Sequence, residues 1–296
     1  MIPRRTLGAT GEELSIIGIG GWDVAASSEA ESIAIMHHAI DAGINLFDNC
    51  WEYHDGYAEE VMGKALKGGR RDRVFLMTKG CGRTYDDARR HLDDSLRRFD
   101  TDRIDLWQFH AIKRDSDPGL IYDLESGAMR AAIEAKKAGK IRYIGFTGHA
   151  SPRYHLAMLD HDFAWDAVQM PTNVLDAHYD SFEQHVLPVL NRKNIGVLGM
   201  KSLAAQDGRI VREVGISANL ARRYALSLPI TSLVCGIQTR EELRHDIALA
   251  DDFVPLTPDE RSELLRISQP FARDGHIEDY KVGDWGCNFH ATKVAG

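Results

Sequence analysis

The sequence lacks the features that mark several large classes of protein. No apolar run reaches the roughly 18 to 20 residues that a membrane-spanning helix needs, and the opening residues MIPRRTLGATGEEL lack the apolar core of a signal peptide. No dense run of Lys and Arg is present, and the 44 acidic residues outnumber the 36 basic ones. We therefore expect a soluble, cytoplasmic protein that binds neither nucleic acid nor membranes.

Cysteine is also scarce. The four cysteines, Cys50, Cys81, Cys235 and Cys287, lie far apart along the chain, with no C-x-x-C spacing. Zinc and iron–sulfur sites commonly show such spacing. The sequence therefore predicts no metal site, and it predicts four reduced, isolated thiols.

Short runs rich in Ile, Val, Leu and Phe are abundant, and each has the length of a strand. They are IIGIG from 16, NLFD from 45, VFLMTK from 74, IDLWQFH from 104, IRYIGFT from 141, AVQMP from 167, IGVLGMK from 195 and SLVCGI from 232. The segments between them have helical spacing of apolar residues, as in YDDARRHLDDSLRRFD from 85. Alternating apolar strands and amphipathic helices predict an α/β (β/α)8 TIM barrel, with two doubly wound domains as the alternative.

The remaining segments complete this architecture. The residues RRTLGATGEEL predict a β-hairpin that turns at GATGEE and plugs the lower end of the barrel, and TPDERSELLRISQ predicts a C-terminal helix. A tail without periodicity, PFARDGHIEDYKVGDWGCNFH, follows that helix. No linker or shift in composition divides the chain, so we expect one domain over residues 1–296.

Ionisable residues stand where the predicted strands end, which is the edge that carries the active site in such barrels. Asp48 ends the second strand, Tyr53 lies in the loop after it, Lys79 ends the third strand and His110 the fourth. Each alone has an ordinary structural explanation, as a cap, a rim aromatic, a surface lysine or a core histidine. Neighbouring strands lie about 5 Å apart, however, so the four can meet, and a lysine ending an apolar strand needs a partner such as Asp48.

These four side chains suit proton transfer. A cation beside a phenol lowers the pKa of the phenol, so we expect Lys79, held by Asp48, to tune Tyr53 as a proton donor to a carbonyl oxygen. His110 would hydrogen-bond the same oxygen, and a cofactor would supply hydride, because no side chain can. The neighbouring Glu52, His54 and Asp55 have no such partners in the sequence. We interpret those three residues as the solvated face of the loop.

The motifs FDNCWEY, LMTKG and IDLWQFH resemble those of the aldo-keto reductases, and the resemblance covers essentially the whole chain. It implies a (β/α)8 barrel with Asp48, Tyr53, Lys79 and His110 as the catalytic residues. It also implies a nicotinamide cofactor, usually NADPH, that lies across the barrel mouth. The expected activity is the reduction of an aldehyde or ketone to an alcohol, or the reverse oxidation.

The resemblance further implies a set of cofactor-binding positions. They are Gly21 and Trp22 beside the nicotinamide, Thr147 and Gln169 at its carboxamide, Met200 at its ring, and Lys201, Ser202 and Leu203 along the pyrophosphate. The segment CGIQTREELRHD departs from the family pattern, because it places Gly236, Gln238, Glu242 and Asp246 where basic residues often hold the adenosine 2'-phosphate. A carboxylate there disfavours a phosphate and suits a ribose hydroxyl. Both NADPH and NADH therefore remain candidates, and the family's usual cofactor favours NADPH.

The predicted substrate pocket is aromatic. Trp22, Trp51 and Tyr53 would line it together with the loop AIKRDSDPGLIYDLESG after the fourth strand, and Trp285, Cys287 and Phe289 would contribute from the tail. Such a lining indicates an apolar or aromatic carbonyl compound. Two other functions stay open, a nicotinamide-sensing regulatory protein with little turnover and an unrelated barrel lyase or isomerase. The sequence does not determine the natural substrate, the physiological direction or the oligomeric state.

Overall fold

The computed structural model describes residues 1–204 and 208–287, and its strands form a closed barrel and a small separate sheet. The strands are β1 (Arg4–Thr6), β2 (Glu13–Ser15), β3 (Ile17–Gly20), β4 (Leu46–Asp48), β5 (Phe75–Gly80), β6 (Ile104–Phe109), β7 (Ile141–Thr147), β8 (Ala167–Pro171), β9 (Gly196–Met200) and β10 (Ser232–Cys235). Strands β3 to β10 are parallel and follow chain order around the barrel, which closes where β10 pairs with β3. The predicted (β/α)8 barrel is confirmed, and the doubly wound alternative is wrong.

Helices cover the outside of the barrel. They are α1 (Gly21–Val24), α2 (Glu29–Asp41), α3 (Tyr57–Ala65), α4 (Tyr85–Phe99), α5 (Asp117–Tyr122), α6 (Ala128–Lys137), α7 (Pro152–Leu159), α8 (Phe182–His185), α9 (Leu187–Arg192), α10 (Ala218–Ser227), α11 (Arg240–Asp251) and α12 (Pro258–Ser268). Helix α4 begins where the Thr84 hydroxyl accepts the N–H of Asp87. Of its apolar stripe, Ala88, Leu92 and Phe99 are buried and Leu96 is partly buried. No helix in this part of the chain is long and apolar enough to cross a membrane.

The N-terminal hairpin closes the lower end of the barrel, as the sequence predicted. Strands β1 and β2 are antiparallel, and Leu7 and Leu14 pack against the inward side chains of the barrel floor, including Leu46 and Leu198. Gly196 in β9 makes room for this plug, because a Cβ atom at that position would overlap the side chain of Leu7. The hairpin therefore fills the floor and leaves the opposite end of the barrel open for a site.

After the last helix the chain returns across the open end of the barrel and is fixed there by buried polar contacts. The Lys281 ammonium donates to Asp176 at 2.7 Å and lies 3.0 Å from Glu278. The Asn173 amide donates to the Tyr280 hydroxyl at 2.9 Å. These contacts hold the following residues, up to Cys287, over the upper edge of the barrel.

Candidate active site

The ends of β4 and β5 form the buried ion pair that the strand ends predicted. The Lys79 Nζ donates to Asp48 Oδ1 at 2.6 Å and to the Asn49 carbonyl at 2.8 Å, and the two charged side chains are only 1% and 5% exposed. The second oxygen of Asp48 accepts the Gln169 amide at 3.0 Å from β8. Breaking one side of such a pair costs about 3–5 kcal/mol, because it leaves a buried charge without a partner. Lys79 and Asp48 are therefore held rigidly.

Tyr53 lies over this pair, in the loop after β4. The Lys79 Nζ is 5.0 Å from the centroid of the Tyr53 ring. Two aromatic rings pack edge-on against the phenol, Trp22 at 5.4 Å and His110 at 6.1 Å between centroids. The four predicted catalytic side chains thus surround one point at the mouth of the barrel.

The protonation of Tyr53 differs from the sequence expectation. Burial raises the pKa of its phenol well above the ordinary value, and the negative charges of Asp48 and Glu52 act in the same direction. The expectation of a lowered pKa was wrong for this site, because the water that a buried phenolate would lose outweighs the effect of the nearby lysine. Tyr53 is a neutral phenol at neutral pH and carries the proton that a donor must deliver.

The ring of His110 is held through Nδ1. That atom is 3.0 Å from Glu52 Oε1, 3.2 Å from Cys50 Sγ, 3.3 Å from Cys287 Sγ and 3.6 Å from Cys81 Sγ. The residue is only 6% exposed. Burial lowers the pKa of His110 below its ordinary value of 6.5, although the hydrogen bond to Glu52 opposes the change. His110 is therefore neutral at neutral pH.

Glu52 belongs to the site, which corrects the expectation that it lies on a solvated face. Its carboxylate accepts the N–H of Cys287 at 3.1 Å and contacts His110. Burial alone would raise the pKa of Glu52, but these hydrogen bonds outweigh it and lower the pKa to about 2. His54 also departs from the expected solvated position, because its ring stacks on Trp22 at 4.5 Å between centroids. Asp55 is exposed, as expected.

The tail is cross-linked to the rim of the barrel, so the expectation of four isolated thiols was wrong. Cys81, just after β5, forms a disulfide with Cys287, and their Cα atoms lie 5.4 Å apart across a sequence separation of 206 residues. Cys50 and Cys235 are free and buried. Sequence spacing could not reveal the bond, because only the return of the tail across the barrel brings its two partners together.

The same region groups side chains that can bind metals. One ligand atom from each of Cys50, Glu52, Cys81 and His110 lies within 4.8 Å of all the others. The disulfide removes Cys81 as a thiolate ligand, and burial raises the pKa of the Cys50 thiol well above its usual value. Zinc binds thiolates rather than thiols or disulfides. We therefore interpret this cluster as the surroundings of His110.

A cavity of about 780 Å³ opens above these residues. It runs from the four predicted catalytic side chains to the start of α11. The predicted residues that line it are Asp48, Tyr53, Lys79, His110, Trp22, Gln169, Met200, Lys201, Ser202, Leu203, Gly236, Gln238, Glu242, Trp285 and Cys287. Phe289 lies outside the described residues. The cavity thus joins the proton-transfer group to most of the predicted cofactor positions.

Four of the predicted residues, Gly21, Trp51, Thr147 and Asp246, lie outside the lining of this cavity, and the predicted loop after β6 contributes no residue to it. Gly21 packs against Asn49, whose side chain a Cβ atom would overlap, and Thr147 is buried at the end of β7. Trp51 is turned toward α4, where it stacks on His91 at 3.6 Å between centroids. The prediction that Trp51 lines the pocket is therefore corrected, since neighbouring residues of an irregular loop can face opposite directions.

The acidic residues Asp246 and Glu242 of the CGIQTREELRHD segment make different contacts. Asp246 is fully buried and paired with Arg222, and it does not line the cavity, which corrects its predicted contact with the cofactor. Burial raises the pKa of Asp246 to about 6. Glu242 does line the cavity, but its carboxylate also caps α11 by accepting the N–H groups of Gln238 and Thr239 at 2.7 and 3.0 Å.

Lys201 gives the cavity a partly buried cation. Its Nζ lies 5.0 Å from the ring centroid of Tyr280 and 5.3 Å from that of Trp285, and no ion-pair partner is found within residues 1–204 and 208–287. Burial lowers the pKa of Lys201 to about 8. An anion bound in the cavity would supply the missing countercharge. The residues present therefore fit a phosphate-bearing group such as a dinucleotide.

Sequence reasoning missed several residues of the cavity wall. Asp23, Glu52, His149 and Arg222 all line it. Asp23 and His149 follow the ends of strands β3 and β7. A wider search of the loops after each strand would have found them, because those loops form the mouth of such a barrel. Arg222 lies in α10 and not in a loop that follows a strand, so its position in the sequence does not indicate that it lines the cavity.

Fold and site together define a (β/α)8 barrel with a tyrosine, a lysine–aspartate pair and a histidine at the C-terminal ends of its strands. The chain belongs to the aldo/keto reductase family, whose family model matches residues 16–214. It is 29% identical over 223 residues to the L-galactose dehydrogenase of Arabidopsis thaliana, covering 69% of this chain and 66% of that protein. It is 32% identical over 214 residues to the aldo-keto reductase YhdN of Bacillus subtilis (strain 168), covering 66% of this chain and 60% of that protein.

The alignments therefore span about two thirds or less of these two relatives. Among solved structures, an aldo-keto reductase from Bacillus halodurans in its holo form matches with a TM-score of 0.76 at 22% identity, covering 94% of this chain and all of that one. An aldo-keto reductase from Klebsiella pneumoniae in complex with NADPH matches with a TM-score of 0.75 at 22% identity, covering 91% and 96%. At this identity the two structures show a common fold.

Proposed function

We propose that the protein is an NAD(P)H-dependent oxidoreductase that interconverts an aldehyde or ketone and the corresponding alcohol. One observation carries the proposal: a neutral tyrosine phenol, a buried lysine–aspartate pair and a histidine face the same cavity. The nicotinamide, when bound, supplies or accepts the hydride. We also propose that residues 1–296 form a single domain of this kind.

The side chains of the site have separable roles in this proposal. Tyr53 gives its phenol proton to the carbonyl oxygen, so the oxygen gains a proton while the carbon gains hydride. Lys79 stabilises the phenolate that remains, and Asp48 holds Lys79 in place. His110, whose ring lies next to that of Tyr53, orients the substrate by a hydrogen bond. In the oxidative direction the same groups act in reverse.

The cofactor would occupy the part of the cavity that runs from the catalytic side chains to the start of α11. Lys201 would face its phosphates, Gln169 its carboxamide, and Gln238 and Glu242 the ribose of its adenosine. The NADPH named with the Klebsiella pneumoniae structure supports a nicotinamide dinucleotide for this chain as well. The aromatic side chains of Trp22 and Trp285 would cover the substrate.

Replacing Tyr53 by phenylalanine tests the proposal. The change removes only the phenol oxygen, so we expect turnover with NAD(P)H to fall by about 10²- to 10⁴-fold while cofactor binding, followed by fluorescence quenching, stays nearly unchanged. Tyr57→Phe is a matched control, because Tyr57 is 37% exposed and does not line the cavity. Undiminished turnover in Tyr53→Phe would remove Tyr53 from the mechanism, and failure to bind either cofactor would overturn the proposed function.

A further inference from the structure

Three cysteine sulfurs surround the Nδ1 atom of His110. Nδ1 is 3.2 Å from Cys50 Sγ, 3.3 Å from Cys287 Sγ and 3.6 Å from Cys81 Sγ. The histidine is 6% exposed, and each of the three cysteines is 2% exposed or less. Cysteine thiolates and imidazole nitrogens are the ligands that zinc takes in closed, tetrahedral sites. The fold therefore brings together the ligand types of a zinc site with three cysteines and one histidine.

The spacing of these atoms matches a tetrahedral zinc site. Zinc binds sulfur at about 2.3 Å and imidazole nitrogen at about 2.0–2.1 Å, so a sulfur and a nitrogen at two corners of the tetrahedron lie about 3.5 Å apart. The three distances from Nδ1 to sulfur, 3.2, 3.3 and 3.6 Å, are close to this value. The ligand atoms of Cys50, Cys81 and His110 also lie within 4.8 Å of one another. The histidine nitrogen is therefore already at the right distance from all three sulfurs.

The disulfide between Cys81 and Cys287 prevents metal binding in the oxidised chain, and a two-electron reductant such as a phosphine removes it. The phosphorus is oxidised and takes the oxygen of a water molecule, while the two sulfurs take up two electrons and the two protons of that water and become thiols. Two sulfurs of a tetrahedral zinc site lie about 3.8 Å apart. Rotation of the cysteine side chains about their Cα–Cβ bonds gives this separation, because the two Cα atoms are 5.4 Å apart. Zinc then displaces the thiol protons, since a coordinating thiol is deprotonated outright.

Polar contacts around the cluster hold the backbone of three of its members. The guanidinium of Arg83, only 4% exposed, donates to the Cys81 carbonyl at 3.1 Å and to the His110 carbonyl at 2.8 Å. The carboxylate of Glu52 accepts the N–H of Cys287 at 3.1 Å. Such outer contacts orient the ligands of a metal site and contribute to its affinity. The cluster is therefore supported from two sides by groups that are not themselves ligands.

We propose that reduction of the disulfide creates a zinc site, in which the thiolates of Cys50, Cys81 and Cys287 and the Nδ1 atom of His110 bind one ion. The ion replaces the disulfide as the link between the rim of the barrel and the tail. It leaves Nε2 of His110 without a metal bond. The inference goes beyond the proposed reductase function and does not rest on it. It departs from the sequence expectation of no metal site, because only the fold brings these four residues together.

A metal titration of the wild-type chain tests the proposal, with Co²⁺ as a spectroscopic probe that Zn²⁺ then displaces. The chain is reduced with tris(2-carboxyethyl)phosphine, separated from the reductant under argon and titrated with Co²⁺. We expect one Co²⁺ to bind per chain and to show the sulfur-to-cobalt charge-transfer bands and the intense visible bands of a tetrahedral thiolate site. One equivalent of Zn²⁺ should abolish these bands. The oxidised chain, titrated in the same way, should not show them.

Serine variants identify the ligands. The loss of an outer contact lowers metal affinity by about 10- to 100-fold, so the loss of a direct ligand should lower it by at least about 100-fold. We expect this loss of Zn²⁺ affinity in the reduced Cys50→Ser, Cys81→Ser and Cys287→Ser variants. Cys235→Ser is the matched control for Cys50→Ser, because both cysteines are free and buried, whereas Cys235 lies at the end of β10. Cys235→Ser should keep the affinity of the wild-type chain.

Thermal unfolding separates a site of the folded chain from loose binding to thiols. A ligand that binds only the folded chain raises Tm, and at a Zn²⁺ concentration of 100 times Kd we expect Tm of the reduced wild-type chain to rise by roughly 5–10 °C. Zinc bound by the thiols of the unfolded chain would leave Tm unchanged or lower it. The comparison of the oxidised with the reduced wild-type chain needs no variant, so it decides the question even if a serine variant does not fold.

Three results would overturn the proposal. The first is a reduced wild-type chain that gives no tetrahedral cobalt spectrum. The second is an unchanged Zn²⁺ affinity in Cys287→Ser, which would remove Cys287 from the ligands, and the third is an equal loss of affinity in Cys235→Ser, which would assign the binding to thiols in general. The kinetics of Tyr53→Phe test the reductase function separately, and their outcome leaves the zinc site as it stands.

Discussion

Replacing Lys79 by methionine tests the buried ion pair at the centre of the site, because methionine keeps the length of the side chain and removes its charge. The substitution deletes the contacts of 2.6 Å to Asp48 and 2.8 Å to the Asn49 carbonyl. Asp48 is then left with the Gln169 amide at 3.0 Å as its remaining hydrogen-bond donor, in a position where its side chain is only 5% exposed. The carboxylate must either stay buried without a countercharge or take up a proton.

The expected loss of stability follows from this burial. Removing one member of a buried pair costs about 3–5 kcal/mol, and each kcal/mol moves the melting temperature of a chain of this size by about 2–4 °C. We therefore expect Tm to fall by roughly 6–20 °C. Turnover should fall as well, by about 10²- to 10³-fold, because the phenolate of Tyr53 loses the cation that stabilises it.

Two further variants show whether burial is the cause. Lys64→Met breaks an ion pair of similar length, 2.7 Å to Glu29, but both of its side chains are exposed, 49% and 43%. Lys64→Met should therefore lower the free energy of unfolding by less than about 1 kcal/mol. The double variant Asp48→Asn with Lys79→Met removes both charges, so we expect it to recover part of the stability while turnover stays low.

Calorimetry and steady-state kinetics on the same preparations measure both effects. The reasoning would be refuted if Lys79→Met melted at the temperature of the Lys64→Met control. It would also be refuted if Lys79→Met kept wild-type turnover, since the lysine would then have no part in stabilising the phenolate. Recovery of turnover in the double variant would assign the effect to the buried charge of Asp48 alone.

Two other predictions concern the ends of the cavity. Cys287→Ser removes a cross-link of a kind worth about 2–5 kcal/mol, and it should raise KM for the aldehyde because Trp285, two residues away, loses one of its anchors. Cys235→Ser, at a free cysteine outside the cavity lining, should leave KM unchanged. NADH should bind at least as tightly as NADPH in a fluorescence titration, because the carboxylates of Asp23 and Glu242 line the cavity and repel a 2'-phosphate. Clearly tighter binding of NADPH would show that a cation reaches that phosphate.

Much of the site follows from local pattern. Asp48, Lys79 and His110 stand directly where apolar strands end, and parallel strands of a barrel bring such ends together. The ion pair between Lys79 and Asp48 could therefore be predicted without coordinates. The capping of α11 by Thr239 could also be predicted, because a helix start depends on residues close in sequence.

Other parts of the site depend on contacts between distant residues. Glu52 looks like a solvated loop residue until the tail places the N–H of Cys287 against it, 235 residues further along the chain. The sequence could not show that Trp51 turns toward α4 while Trp285 turns toward the cavity. Loop residues have no periodicity from which the direction of a side chain can be read.

By itself, the sequence determined the barrel, the plug at its floor and the group of Asp48, Tyr53, Lys79 and His110 at its mouth, because repeated apolar strands and their end residues are local signals. The tertiary structure alone decided how these groups are protonated. The pKa of Tyr53 depends on how much water burial removes, and the pKa of His110 depends on its burial and on its contact with Glu52, which the tail helps to hold in place. Desolvation and hydrogen bonding are properties of the assembled surroundings of a side chain, and no short stretch of sequence contains them.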